Sequence, residues 1–229
     1  MRSQSSIMVQ PSSDLDLELI KFAHATIENV PDTPEYDKMI SGMVYDSFSV
    51  PLETARFRST MICSQLQRMS LDHYSNLDDF KIARTRLTRQ ILGKCGKNPL
   101  IETPFSCDYG LNIVAGDDLY INANAVLLDT SLIILGNNCK IGPNVTITTA
   151  DHPLDANGRS EGLDYSRKVI IGDNCWIAAN ATILPGVQLG DNVVVGAGSV
   201  VTKNIESNSL VLGVPGRIVR KLNQKITDE

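Results

Sequence analysis

The chain has 229 residues, enough for one sizeable domain or two small ones. Apolar residues make up 42% and aromatic residues only 5%, and the formal charge of -5 argues against a general nucleic-acid or anionic-membrane surface. The N-terminus lacks the apolar core of a secretion signal, and no segment approaches the roughly 18 to 20 apolar residues that span a bilayer. The five cysteines are scattered without a CxxC pair, which is typical of reduced thiols in a cytoplasmic protein.

The N-terminal third changes character at about residue 35. Residues 1–34 are polar and contain three prolines, which predicts a flexible arm with at most a short helix around Leu15 to Val30. Residues 35–97 show helical spacing up to about residue 92 and predict a cap of three amphipathic helices joined by short polar turns. The recurring apolar positions are Met39, Met43 and Val44, then Ala55, Met61, Ile62 and Leu66, then Phe80, Ala83, Leu87 and Ile91.

From about residue 98 a six-residue period replaces the helical spacing. Its aliphatic position is occupied, six residues apart each time, by Ile171, Ile177, Ile183, Leu189, Val195 and Val201. Leu135, Ile141 and Ile147 keep this register earlier in the chain, and we assign Ile121, Leu127, Ile133, Cys139 and Val145 to a second, four-residues-later apolar position. Such a period, sustained over residues 98–222, indicates a repeat architecture and leaves 223–229 as a tail.

The period has a direct structural meaning. A six-residue unit with one aliphatic and one small inward position makes one side of a three-sided coil of about 18 residues, and coils stack at roughly 4.8 Å through strand-like hydrogen bonds. Gly, Asn and Asp between the units allow the positive-φ corners that such a coil needs. The sequence therefore predicts a mainly β protein, a parallel β-helix preceded by helices.

The repeat is interrupted at about residues 148–168. Pro153, Arg159 and Tyr165 stand where aliphatic residues are expected, so this stretch must leave the wall of the β-helix. It contains His152, the only histidine of the C-terminal half. By itself such a histidine is more often a surface residue than a functional one, but a loop extruded from a regular solenoid is commonly functional.

Several long motifs resemble one family. "TPFSCDYGLNIVAGDDLYINANAVLLD", "TADHPLD", "IGDNCWIAANATILPGVQLGDNVVVGAGSVVTK" and "GVPGRIVRKL" resemble the maltose and galactoside O-acetyltransferases of the hexapeptide-repeat acyltransferases. "EYDKMISGMVYD", "ARFR" and "CSQL" resemble their helical cap, so the resemblance runs from about residue 35 to 222. It implies a left-handed parallel β-helix with an N-terminal helical cap, acetyl-CoA as acetyl donor, no metal, a sugar or glycoside hydroxyl as acceptor, and a homotrimer with active sites between subunits.

The resemblance also implies roles for acceptor-side residues. His152 would be the general base that takes the proton of the acceptor hydroxyl, because imidazole is neutral and basic near pH 7. Asn122 would lie near the reacting centre and the acceptor. Asp46, Asp108 and Asp129 would bind acceptor hydroxyls. Direct transfer in a ternary complex needs no covalent nucleophile.

Donor-side roles follow by the same resemblance. The coenzyme A channel would be formed by Trp176, Ala179, Ala197, Thr202, Lys203 and Arg217. Ala179 would act through its main-chain N–H, which can stabilise an oxyanion whatever the side chain. Ala197 and Thr202 would line the pantetheine groove, and Lys203 and Arg217 would supply cations for the phosphates.

Three alternatives stay open at this point. The same chemistry could act on an antibiotic or secondary metabolite, which only an acceptor panel separates from a sugar. A non-catalytic hexapeptide-repeat scaffold would fail to bind coenzyme A. A zinc carbonic anhydrase on a similar solenoid needs about three histidines, whereas His24 and His73 lie outside the repeats.

Overall fold

A computed structural model describes residues 10–161 and 163–222; the predicted tail at 223–229 and the first nine residues of the predicted arm lie outside this range. Three parallel sheets form a β-helix through which the chain passes in the order sheet 1, sheet 2, sheet 3. Within the described residues five coils contribute one strand to each sheet, and the strand at Ser209–Leu212 belongs to a sixth. None of the helices in this part of the chain has the length and apolar composition needed to cross a membrane.

The strands are short, as three-sided coils require. Sheet 1 contains β1 (Lys94–Cys95), β4 (Ile113–Ala115), β7 (Ile133–Leu135), β12 (Val169–Ile171) and β15 (Gln188–Leu189). Sheet 2 contains β2 (Leu100–Ile101), β5 (Tyr120–Ile121), β8 (Lys140–Ile141), β13 (Trp176–Ile177), β16 (Val193–Val195), β18 (Ser209–Leu212) and the antiparallel β19 (Arg217–Lys221). Sheet 3 contains β3 (Phe105–Cys107), β6 (Ala125–Leu128), β9 (Thr146–Thr148), β14 (Thr182–Ile183) and β17 (Val200–Val201).

The aliphatic positions of the repeat fill the interior. Ile171, Ile177, Ile183, Leu189, Val195 and Val201 are all buried in one continuous core. Each coil buries these side chains only against its neighbours, so stacking supplies most of the hydrophobic stabilisation. The predicted fold class, a parallel β-helix with N-terminal helices, is confirmed.

The corners contain the residues that the sequence predicts there. Asn98, Asp118, Asn138, Asn174, Asn192 and Asn208 have positive φ between sheets 1 and 2, and Asn124, Asn144, Asn180 and Gly198 have it between sheets 2 and 3. Asn, Asp and Gly tolerate this left-handed conformation better than other residues. Side-chain amides stack in places, as where Asn138 donates to Asn174 at 3.0 Å.

The register of the first coils differs from the strict six-residue assignment. Ile121 pairs with Ile141, twenty residues on, whereas Ile177 pairs with Val195, eighteen residues on. The first two coils therefore contain two extra residues each, at the corner where sheet 3 leads into sheet 1. As a result Ile121 and Leu127 occupy the first aliphatic position, and their assignment to the second position is wrong.

Between the N-terminal segment and the solenoid lie three α-helices, as predicted: α2 (Pro34–Ile40), α3 (Val50–Gln67) and α4 (Leu77–Ile91). Thr33 and Asn76 cap α2 and α4 through side-chain oxygens. Helix α2 ends at Ile40, because Gly42 takes a φ of +80°, and Met43 and Val44 consequently lie outside it. Helices α3 and α4 pack on β3 and β2 and so cover the first coil. Short helices also occur at Leu71–His73 and at α5 (Ala156–Ser160).

The expected flexible arm is ordered where the structure describes it. Helix α1 (Leu17–Thr26) is capped by Asp16, and its Leu19 and Ala23 are buried with Ile27 in a second core shared with α2 and the early coils. The Asp16 carboxylate also pairs with Lys168 at 3.0 Å. The short helix predicted around Leu15 to Val30 is therefore confirmed as α1, and burial of its apolar stripe fixes it against the body of the protein.

Candidate active site

The extruded loop is a hairpin that begins and ends at the corner between sheets 3 and 1, called here the loop corner. Its strands, β10 (Ala150–Asp151) and β11 (Tyr165–Ser166), pair antiparallel, with Asp151 opposite Tyr165. Helix α5 lies between them. The next position along this register places His152 opposite Asp164, so the hairpin itself brings the two side chains together.

His152 is held by a carboxylate on one ring nitrogen. Its Nδ1 lies 3.0 Å from Oδ1 of Asp164, while the His152 side chain is 60% exposed. The His152 backbone N–H donates to Asp151, whose other carboxylate oxygen pairs with Arg167 at 2.6 Å. A carboxylate that accepts the Nδ1 proton leaves the Nε2 lone pair available as a base.

The helical cap touches this loop at Asp164. The Tyr45 N–H donates to the Asp164 carbonyl at 3.4 Å, which places Asp46 beside the bridge between cap and loop. Asp46 is exposed; its N–H donates to Glu35 and its Oδ1 accepts the Phe48 N–H. A surface cavity of about 480 Å³ at this junction is lined by cap residues including Asp46 and by Glu161 and Leu163 of the loop.

Asp129, for which acceptor binding is predicted, lies beneath the turn that carries Asp108. Its side chain is fully buried, and its Oδ1 accepts the N–H groups of Asp108 and Tyr109, both at 2.9 Å. Its Oδ2 accepts the Asn112 N–H at 3.3 Å. Burial raises the pKa of Asp129 well above the usual range, and these N–H donors oppose the rise. Asp129 therefore holds the turn that carries Asp108.

Asp108 is half-buried at the same loop corner, directly after β3. Burial raises the pKa of its carboxyl group, and the positive charge of Arg56 opposes this rise. Arg56 itself donates to the Tyr109 hydroxyl at 2.7 Å. No described side chain hydrogen-bonds the Asp108 carboxylate, which leaves that group available to a hydroxyl.

A second set of predicted residues lies at the corner between sheets 2 and 3, called here the donor corner. Asn122, Ala179 and Ala197 occupy it because the strands before them stack in register. Asn122 is half-buried and its Oδ1 accepts the adjacent Ala123 N–H at 2.7 Å.

Two main-chain donors are left free at the donor corner. The N–H groups on either side of Ala179 donate to the carbonyls of Val195 and Pro143. Among the described residues the Ala179 N–H has no acceptor, and neither does that of Ala197 one coil later. Two stacked free N–H groups can bind an extended polar ligand or stabilise an oxyanion.

The remaining donor-side residues are accessible. Trp176 is 52% exposed on β13, between Lys140 and Val194 of the neighbouring strands. Thr202 and Lys203 are exposed at the loop corner after β17. Arg217 is exposed on β19, and its guanidinium donates to its neighbour Gly216. Within the described ranges Lys203 and Arg217 form no salt bridge, so both cations can meet an anion.

One chain does not bring all these residues together. His152, Asp108 and Lys203 lie at the loop corner, whereas Asn122, Ala179 and Ala197 lie at the donor corner. Sheet 3 separates the two corners, and the four residues of β6 alone span about 13 Å at roughly 3.3 Å each.

Sequence reasoning missed Asp164 and Arg167. Neither belongs to a motif that identifies it, and only the hairpin register, which follows from pairing rather than composition, puts them beside His152 and Asp151. Over the described part of the chain no group of three or more His, Cys, Asp or Glu side chains could hold a metal ion.

Comparisons with known proteins identify related families and folds. Three family profiles match: the maltose acetyltransferase hexapeptide capping motif at residues 38–96, the hexapeptide repeat of succinyl-transferase at 113–149, and the bacterial transferase hexapeptide at 168–203. Galactoside O-acetyltransferase of Escherichia coli is 33% identical over 192 residues, which is 84% of this chain and 91% of that protein.

Two solved structures have the same fold over most of the chain. Maltose O-acetyltransferase from Clostridium difficile superposes with a TM-score of 0.78 at 38% identity, over 84% of this chain and 99% of its own. A hexapeptide-repeat acetyltransferase of Vibrio cholerae, solved in complex with acetyl coenzyme A, superposes with a TM-score of 0.75 at 33% identity, over 84% and 100%.

Proposed function

Since the chain belongs to the hexapeptide-repeat acetyltransferases of the galactoside and maltose O-acetyltransferase type, we propose that it transfers the acetyl group of acetyl-CoA to a hydroxyl of a sugar or glycoside. Acetyl-CoA is the donor, as in the related Vibrio cholerae structure. The observation that carries the proposal is the exposed His152 imidazole, oriented by Asp164 on a loop outside the β-helix wall.

The reaction is a direct transfer with His152 as general base. The acceptor hydroxyl attacks the thioester carbonyl while His152 Nε2 takes its proton, and a tetrahedral intermediate forms. The Ala179 N–H donates to the oxyanion. The intermediate then collapses, the carbon–sulfur bond breaks, and the imidazolium returns the proton to the coenzyme A thiolate. Asp164 balances the imidazolium charge throughout.

The other residues bind the two substrates. Asp46 and Asp108 accept hydrogen bonds from acceptor hydroxyls, and Asn122 orients the acceptor near the reacting carbon. The Ala197 N–H and Thr202 bind the pantetheine arm, which passes over Trp176. Lys203 and Arg217 neutralise the phosphates of coenzyme A.

The working site is shared between two chains of a homotrimer. The loop corner of one subunit meets the donor corner of its neighbour, so that His152 of one chain faces Asn122 and Ala179 of the next. The separation of the two corners within a single chain supports this assembly.

We place the reaction in the cytoplasm. All five cysteines are free thiols, and such thiols are typical of proteins that work in a reducing compartment.

The decisive experiment measures thiol release from acetyl-CoA with a panel of mono- and disaccharides, glycosides and non-sugar alcohols. Wild type, His152→Ala and His73→Ala are compared, since His73 is an exposed histidine of the cap. We expect sugar-dependent release that falls about 10²- to 10⁴-fold in His152→Ala and is unchanged in His73→Ala. Release only with a non-sugar alcohol would reassign the acceptor, and equal rates in all three proteins would refute the role of His152.

A further inference from the structure

A second polar cavity lies away from the proposed active site, where the end of α1 meets α3 and α4. Its volume is about 220 Å³, and its polar lining consists of Glu28, Asn29, Arg58, Arg86, Arg89 and Gln90. Three guanidinium groups thus line one small cavity, on a protein whose formal charge is negative.

The arginines of this arginine cavity are exposed and form no ion pair with the described part of the protein. Within the described residues none of its arginines forms a salt bridge, and Glu28 forms none either. Arg89 donates to the carbonyls of Cys95 and Gly96, but the guanidinium groups of Arg58 and Arg86 have no hydrogen-bond partner among the described residues. Elsewhere on the same helices Arg84 is paired, with Glu102 at 2.6 Å.

Unpaired arginines in one cavity point to a missing anion. Guanidinium groups stay protonated at any physiological pH, so they cannot relieve their mutual repulsion by losing a proton. The carbonyl ends of α4 offset the charge only in part. An oxyanion would accept hydrogen bonds from Arg58 and Arg86 in the paired geometry that guanidinium favours, and the amides of Asn29 and Gln90 are further donors.

We propose that the arginine cavity binds a small phosphate oxyanion, either inorganic phosphate or the phosphate group of a monoester. The cavity volume suits a tetrahedral oxyanion with at most a short organic substituent. Because its walls come from the turn after α1, from α3 and from α4, the bound anion ties the segment that follows the N-terminal helix to the cap. The site is separate from Lys203 and Arg217 and does not depend on the acetyl-transfer proposal.

Isothermal titration calorimetry on the full chain tests the proposal. Inorganic phosphate and glycerol 3-phosphate are titrated in separate arms at constant ionic strength set with chloride. Wild type is compared with Arg58→Gln/Arg86→Gln and with Lys203→Gln/Arg217→Gln, which removes the same number of charges elsewhere. We expect at least one ligand to bind wild type and the Lys203/Arg217 variant alike, and the Arg58/Arg86 variant roughly tenfold more weakly or not at all.

The outcomes separate cleanly. No binding of either ligand to wild type, or equal binding by the Arg58/Arg86 variant, overturns the proposal. Loss of binding in the Lys203/Arg217 variant also overturns it, by assigning the phosphate to the other site. Unchanged acetyl transfer shows that the Arg58/Arg86 variant is folded. If it does not fold, Arg58→Lys/Arg86→Lys takes its place, which keeps the charge and is expected to bind more weakly than wild type because the paired geometry is lost.

Discussion

A histidine on a loop becomes a useful base only if something fixes its ring and its tautomer. In this protein Asp164 does so from the opposite strand of the hairpin, at 3.0 Å from Nδ1. The same aspartate accepts the Tyr45 N–H through its carbonyl. One residue therefore connects the imidazole to both the loop and the cap, and its removal should affect the chemical step rather than substrate binding.

Asp164→Asn tests that connection. The amide oxygen can still accept a hydrogen bond from Nδ1–H but has no charge to balance the imidazolium, and a hydrogen bond to a charged group contributes about 1.5–3 kcal/mol. We expect kcat to fall roughly 10- to 150-fold while KM for acetyl-CoA stays unchanged. Asp155→Asn is the matched control, because Asp155 lies on the same loop and caps α5, where asparagine serves equally well. An unaltered kcat in Asp164→Asn would contradict the positioning role.

The burial of Asp129 predicts that replacing its carboxylate lowers the free energy of unfolding. Asp129→Asn keeps the size of the side chain but replaces one accepting oxygen by an N–H donor, so at least one backbone N–H of the Asp108 turn loses its partner. We expect the free energy of unfolding to fall by about 1–3 kcal/mol, measured by urea denaturation. The same substitution at the exposed Asp32 should change it by no more than about 0.5 kcal/mol. Equal effects at both positions would show that Asp129 does not hold the turn.

At the scale of single elements, α1 packs part of the N-terminal segment against the body of the protein. Its Leu19, Ala23 and Ile27 stand four residues apart and form a narrow buried stripe, while Leu17 on the same helix is 70% exposed. The spacing was present in the sequence. It predicts a short helix there but not its docking, because a stripe this narrow is buried only when a partner surface exists, and part of that surface comes from residues far along the chain.

Leu19→Ala and Leu17→Ala form a matched pair on α1. Removing the buried Leu19 side chain should lower the free energy of unfolding by about 2–4 kcal/mol, through lost apolar burial and the cavity left behind. Leu17→Ala should change it by at most about 0.5 kcal/mol. Thermal and urea unfolding would show this difference, and equal stability of the two variants would mean that α1 does not pack on the body in solution.

The elements of the solenoid were predictable to different degrees for a physical reason. The six-residue period is imposed by inward packing, so Ile171 to Val201 could be assigned from sequence alone. The two extra residues at the loop corner of the first coils put Asp117, Ala123 and Asp129 at the strict six-residue positions, so the period alone misassigns Ile121 and Leu127. The pairing of His152 with Asp164 depends on a hairpin register that no periodicity encodes.

At the scale of the whole molecule, the fold and the family were accessible from sequence because they rest on long motifs. The candidate site residues could be predicted only by resemblance, and resemblance does not reveal the burial of a carboxylate such as Asp129. In sequence it is an aspartate beside acceptor-side motifs. Its burial under three N–H donors depends on how the turn of the preceding coil folds over it.

The proposed trimer predicts that two inactive variants restore activity to each other when they assemble together. His152→Ala and Asn122→Ala inactivate different corners, so two inactive proteins should complement each other when co-expressed. In randomly mixed trimers about a quarter of the sites combine an intact His152 with an intact Asn122 from the neighbour, and acetyl transfer should recover to about that fraction. A light-scattering mass near 25.0 kDa, or no recovery on mixing, would contradict a shared site.

The irregularities of the first three coils all fall at one corner: the extra residues at Asp108 and Asp129, and then the hairpin with His152. A segment attached there can change length without displacing a single inward aliphatic residue or any rung of the hydrogen-bonded ladder. The donor corner cannot change length in this way. The free N–H groups of Ala179 and Ala197 are stacked there because the strands before them, β13 and β16, pair in register. The molecule thus has one edge that accepts changes in loop length and one edge that does not. Loops on the first edge can be exchanged while the free N–H groups on the second stay in place.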